Sequence, residues 1–162
     1  LGREDYVTCL YLARYAALRI HECFRIDTAI ANKAIRDHAI TIKGKGGLVR
    51  TVPLTPVVEA RLIYHLALTP RGHKLFVPDD MPTHKAIHGL QAFIAAHRPF
   101  AQDPDSNRPM TIHGLRHTCA AEWYDARLAA GDTPKQARLA VARLLGHGRD
   151  DVTKIYLAKS MD

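Results

Sequence analysis

A mainly α fold with one small antiparallel β-sheet (α+β) is predicted by three observations. Apolar residues keep a helical period through most of the chain. That period gives way once, over residues 39–52, to alternation. Threonine–proline pairs stand before two of the helical stretches, at Thr55-Pro56 and Thr133-Pro134. The 162 residues, 47% of them hydrophobic, suffice for a sizeable core, and a single domain over residues 1–162 is expected.

Val7, Leu10, Tyr11 and Leu18 share one face of a first helix, from about Glu4 to Leu18, and a second, short helix begins near Ile20. Ala39-Ile40-Thr41-Ile42-Lys43 and Val49-Arg50-Thr51-Val52 alternate. The turn signal Gly44-Lys45-Gly46-Gly47 between them predicts a β-hairpin. Thr55 caps a helix with proline at its first position, built on Val58, Leu62, Ile63 and Leu66 and ended by Thr69-Pro70-Arg71-Gly72. Lys74 to Val77 reads as a short extended stretch, Thr83 to His97 as a helix, and Arg98 to Pro109 as a proline-rich loop. Thr111 caps the next helix, with its stripe at Ile112, Leu115, Cys119, Trp123 and Ala126 and Gly131 at its close. Thr133-Pro134-Lys135-Gln136 is a capping box opening a helix that Gly146 ends. Asp150 or Asp151 caps a last helix, which carries Tyr156.

Lys and Arg outnumber Asp and Glu by 23 to 16, a formal charge of +7 that favours a polyanionic partner, nucleic acid first. The three cysteines lie far apart and form neither a zinc pair nor a disulfide framework, which fits a reducing cytosol. No apolar run is long enough to span a membrane. An opening on Leu1-Gly2-Arg3 without Met predicts a piece of a longer protein.

The chemistry gathers late in the chain. His113 and Arg116 lie one turn apart at the start of the Thr111 helix, where unpaired N–H groups favour an anion. His147 follows Leu144-Leu145-Gly146 at a helix end, and Tyr156 follows in turn. Taken singly, each also fits a solvated or packing role, and position alone does not separate Tyr156 from Tyr6, Tyr11, Tyr15, Tyr64 or Tyr124. Taken together, they are what metal-free attack on a phosphodiester requires. Arginine forks stabilise charge on the non-bridging oxygens, a phenol attacks, and an acid protonates the leaving oxygen. A rival use is metal binding by His113 and His117, which needs further ligands.

His113-x-x-Arg116-His117-Thr118, Leu145-Gly146-His147 and Tyr156 together resemble the tyrosine recombinase (phage integrase) family. Ala17-Leu18-Arg19-Ile20-His21-Glu22 resembles that family's first-arginine box, and Lys43-Gly44-Lys45-Gly46-Gly47 with Arg50-Thr51-Val52-Pro53-Leu54 its lysine hairpin. Four boxes in the right order span nearly the whole chain. The resemblance implies the family's C-terminal catalytic domain, without the N-terminal domain that closes around the far side of the duplex. Arg19 and Arg116 would clamp the phosphate, Lys45 protonate the leaving 5′-oxygen, and His113 act as acid/base near the nucleophile. His147 would hydrogen-bond the phosphate, and Tyr156 form a 3′-phosphotyrosine. Glu22 and His117 would buttress the site. Neither metal, cofactor nor ATP would be needed.

The implied partners are double-stranded DNA and, at full length, sister protomers in a synaptic complex. The implied setting is the cytoplasm of a bacterium carrying a phage or mobile element. This piece alone should bind DNA weakly and with a steep salt dependence. Ala17 stands where the family commonly has glycine, and His21 where it commonly has serine. Lys43 lies two residues from Lys45 and, by strand alternation, on the same side, so either serves as the acid, with Lys45 favoured by its place in the Gly-Lys-Gly turn. A type IB topoisomerase, which shares this chemistry, and a basic DNA-binding module without catalysis are the alternatives.

Overall fold

The computed structural model describes residues 2–101, 104–105, 107–147, 153 and 157, and for Lys45 the backbone only. The predicted class holds: as far as residue 147 the described residues form seven α-helices, one short 3₁₀ turn and one two-stranded antiparallel sheet.

Helix α1 (Glu4–Ala16) ends where Ala17 takes a left-handed conformation at φ 54°. A left-handed alanine costs about 1–2 kcal/mol, which a glycine at this position would avoid. Short α2 (Ile20–Cys23) follows at the expected place. Next comes α3 (Thr28–Asp37), opened by Asp27, whose carboxylate accepts the Ile30 N–H at 2.8 Å. The sequence reading had no helix there.

Strands β1 (Ala39–Lys43) and β2 (Val49–Pro53) pair in the register Ile40↔Val52 and Ile42↔Arg50. The alternation sends Ile40, Ile42, Arg50 and Val52 inward. The connecting turn is one turn of 3₁₀ helix, Lys45–Gly47, with Gly46 and Gly47 at positive φ. Strand alternation therefore ends at Lys43 and does not relate Lys43 to Lys45.

Helix α4 (Pro56–Leu68) starts on the Thr55 cap as expected. Residues 74–77 form only an isolated bridge, Asp27↔Lys74, in place of the expected extended stretch, while Leu75 and Phe76 are buried. Helix α5 (Thr83–Ala101) continues through Pro99, four residues beyond the expected end. Pro99 has no N–H to give the Ala95 carbonyl, so that bond is missing from the last turn, and Arg98 ties the helix end down by donating to the Met110 carbonyl at 3.1 Å.

Helix α6 (Ile112–Ala129) and helix α7 (Pro134–Leu145) begin at the predicted caps, with Thr111 Oγ1 accepting from Gly114 and Thr133 sharing a capping box with Gln136. Gly146 ends α7 in the left-handed region at φ 73°. Thr153 and Leu157 are helical and buried. The other residues expected in the last helix, Asp150, Asp151 and Tyr156 among them, lie outside the described residues.

α1 packs against α6, α4 and α2, α6 against α7, and α3 against β1 and α4, while α7 reaches β2. One core, which includes Leu12, Leu18, Phe24, Ile40, Leu62, Leu90 and Leu145, fills the space between them. Gly89 of α5 rests on Tyr6 of α1, so closely that a Cβ there would overlap the phenol oxygen. No helix of the described residues is long and apolar enough to cross a membrane.

Candidate active site

The turn after α1 brings Arg19 to the N-cap of α2. Its backbone N–H donates to Glu22 Oε2 at 2.8 Å and its Nη1 to Oε1 at 3.2 Å, and its side chain is a quarter exposed. Glu22 is buried and receives a second arginine, Arg50 from β2, whose Nη1 and Nη2 donate to its two oxygens at 2.8 and 2.7 Å. Burial alone would raise the Glu22 carboxyl. The Arg50 fork, the Arg19 N–H and the two arginine charges outweigh it and bring the group down to about 2. Glu22 is thus ionised at any physiological pH and organises both guanidinium groups.

Arg116 sits on the buried side of α6. Its Nε donates to the Ala17 carbonyl at 2.6 Å and its Nη2 to the Leu145 carbonyl at 2.8 Å. The left-handed turn at Ala17 and the end of α7 therefore meet on one arginine. His147 lies just past that end, half-buried, with its N–H bonded to the Ala142 carbonyl and Nδ1 3.2 Å from Thr153 Oγ1. Burial, then the charges of Arg116, Arg19 and Arg50, push its imidazole down to about 4. At neutral pH it is uncharged, so one ring nitrogen carries a proton and the other accepts.

Four of the residues picked from the sequence, Arg19, Glu22, Arg116 and His147, therefore form one cluster with Arg50. Three guanidinium groups against one carboxylate leave a net positive charge beside a neutral imidazole, a setting suited to an oxyanion. His113 is exposed at the start of α6, and its Nε2 lies 3.0 Å from Nε2 of His117, with the rings edge to face at 4.6 Å. Among the described residues no group of three or more His, Cys, Asp or Glu is placed to hold a metal ion. Lys43 is exposed on the hairpin. The Lys45 side chain and Tyr156 lie outside what the structure describes.

Arg50 is the member that sequence reasoning passed over, quoting it only as part of the hairpin motif. A signal was present: on an alternating strand it shares the inward side with Val52. A charged residue on an apolar face needs a buried counter-charge.

No family model and no curated protein matches the chain. Solved structures do. XerA recombinase superposes with a TM-score of 0.61 at 18% identity, over 97% of this chain and 59% of its own. The Tn1549 transposon integrase, solved in complex with a circular intermediate DNA, gives 0.67 at 15% identity, over 93% and 53%. An integrase from mycobacterium phage Brujita gives 0.58 at 21% identity, over 99% and 52%. The chain has a tyrosine recombinase/integrase-like fold, and it spans little more than half the length of these structures.

Proposed function

We propose that this chain is the catalytic domain of a site-specific DNA recombinase or integrase, which cuts and rejoins duplex DNA through a covalent 3′-phosphotyrosine. The observation that supports the reading best is the convergence of Arg19 and Arg116 on His147, from three distant boxes, next to the buried Arg50–Glu22 pair. In the proposed reaction Arg19 and Arg116 hold the non-bridging oxygens of the scissile phosphate and His147 donates a hydrogen bond to it. Tyr156 Oη attacks phosphorus and passes its proton to His113. The bond to the 5′-oxygen breaks, and Lys45 supplies that oxygen's proton. Attack by a 5′-hydroxyl reverses the step and releases the tyrosine. The phosphodiester energy is kept in the tyrosyl ester, so neither ATP nor metal enters.

The folds it resembles, a recombinase and two integrases, favour strand exchange over topoisomerase-type relaxation. In the full protein, sister protomers would assemble on the paired sites.

The test is a nicked suicide duplex bearing the parent element's attachment sequence, with EDTA present throughout. The wild type is expected to form a protein–DNA adduct that resists denaturation, and Tyr156→Phe none. An adduct undiminished in Tyr156→Phe overturns the assignment.

A further inference from the structure

Arg50 takes part in none of the steps above, yet it is among the most thoroughly bound side chains in the fold. It leaves β2 on the inward face, opposite Ile42, and its side chain is 4% exposed. Nε donates to the Leu144 carbonyl at 2.8 Å, and the two terminal nitrogens take both oxygens of Glu22. One planar fork therefore ties three separate elements together: the hairpin, α2 and the last turn of α7.

Two glycines close over it. A Cβ on Gly44 would stand 3.5 Å from Arg50 Nη1 and 3.4 Å from Glu22 Oε1. A Cβ on Gly146 would stand 3.1 Å from Arg50 Nη1 and 3.6 Å from Arg19 Nη1. Gly44 directly precedes Lys45, and Gly146 directly precedes His147. The backbone leading to each of these site residues is thus laid against the same guanidinium.

We propose that Arg50 is a positioning residue of the active site, the clamp that fixes where the hairpin turn presents Lys45 relative to Arg19. The inference rests on the strand-cleavage reading. An apolar cluster of equal volume would stabilise such a junction at least as well as a buried ion pair. What the arginine adds is direction: its donors lie in one plane, and a lysine at this position reproduces the charge without that geometry.

The experiment uses the full-length parent protein and two versions of the nicked attachment-site duplex, one with the ordinary 5′-oxygen at the scissile bond and one with a bridging 5′-sulfur. A thiolate leaves without a proton, its conjugate acid lying near ~8.5 by the cysteine scale, so the sulfur substrate does not need the general acid. Misplacing or removing such an acid slows the oxygen substrate about 100-fold or more. Arg50→Lys is expected to show that loss on oxygen and to recover to within about tenfold of wild type on sulfur, the pattern also expected of Lys45→Ala.

Equal losses on both substrates, or no loss on either, overturn the positioning role while leaving the strand-cleavage reading in place. A wild type silent on both substrates overturns that reading and this role with it. Thermal unfolding accompanies each variant. Should Arg50→Lys not fold, Arg50→Gln, which removes the fork and leaves the Arg19 bonds to Glu22 in place, is judged by the same ratio.

Discussion

Replacing Glu22 by glutamine removes a charge at the point where the hairpin, α2 and α7 meet, and its effect depends on pH in a calculable way. In the folded chain the carboxyl lies at about 2, against an ordinary 4.5. A lowered carboxyl stabilises the fold above its unfolded value, and that stability disappears as the pH falls through 4.5 towards 2. Its full size is about 3 kcal/mol, of which about 2 kcal/mol is gone by pH 3. At pH 7 the variant also leaves Arg50 buried without its counter-charge, and breaking a buried pair in this manner costs about 3–5 kcal/mol.

Urea unfolding of wild type and Glu22→Gln, followed by circular dichroism at pH 7 and pH 3, measures the difference directly. Asp5 and Asp37, also held low by basic neighbours, are present in both proteins and cancel. The variant is expected to be less stable by about 3–5 kcal/mol at pH 7, with the gap narrowed by about 2 kcal/mol at pH 3. A gap of the same size at both pH values refutes the argument, because the carboxylate would then contribute nothing as a charge.

His147 is expected to titrate near 4 in an NMR pH series and to move upward in Arg19→Gln, since burial and the Arg116, Arg19 and Arg50 charges hold it down. The sign follows: the unfolded imidazole takes its proton first, so this group's contribution to stability is complete above 6.5 and falls away towards 4, and a wild-type midpoint at 6.5 contradicts the burial described. Gly89→Ala is expected to lower stability by about 1–3 kcal/mol through overlap with the Tyr6 hydroxyl. An unchanged melting temperature would mean that α1 and α5 are not seated as described.

Caps and periodicity carried most of the fold because they are local. Thr55, Thr111 and Thr133 mark helix starts whatever the rest of the chain does. Helix α3 escaped notice because its buried face is Thr28, Ala31 and Ala34, residues too small or too polar to print an apolar stripe. The segment at residues 74–77 is apolar because Leu75 and Phe76 enter the core, and that signal does not distinguish a strand from a buried loop.

In the site, Arg116 and His147 were legible from their types and their places at helix ends, whereas Arg19 and Glu22 were legible only through the resemblance of the box that holds them. That they converge is implied by the resemblance; what holds them together was not legible, because it depends on carbonyls at Ala17, Leu144 and Leu145 that any sequence would supply. Arg50 announced itself only as a charge on the inward side of a strand, and its partners, distant in the chain, were not legible.

The bond from Arg116 to the Ala17 carbonyl joins positions 99 residues apart, and Arg50 to Leu144 joins positions 94 apart. Loops of that size are closed late, after local helices have formed. During synthesis the chain emerges N-terminus first, so Arg19 and the hairpin leave the ribosome well before α6 and α7 exist to complete them. A nascent chain or a truncated product therefore displays isolated basic residues and no assembled arginine–histidine cluster, so whatever the cluster does waits until the last helices have been made.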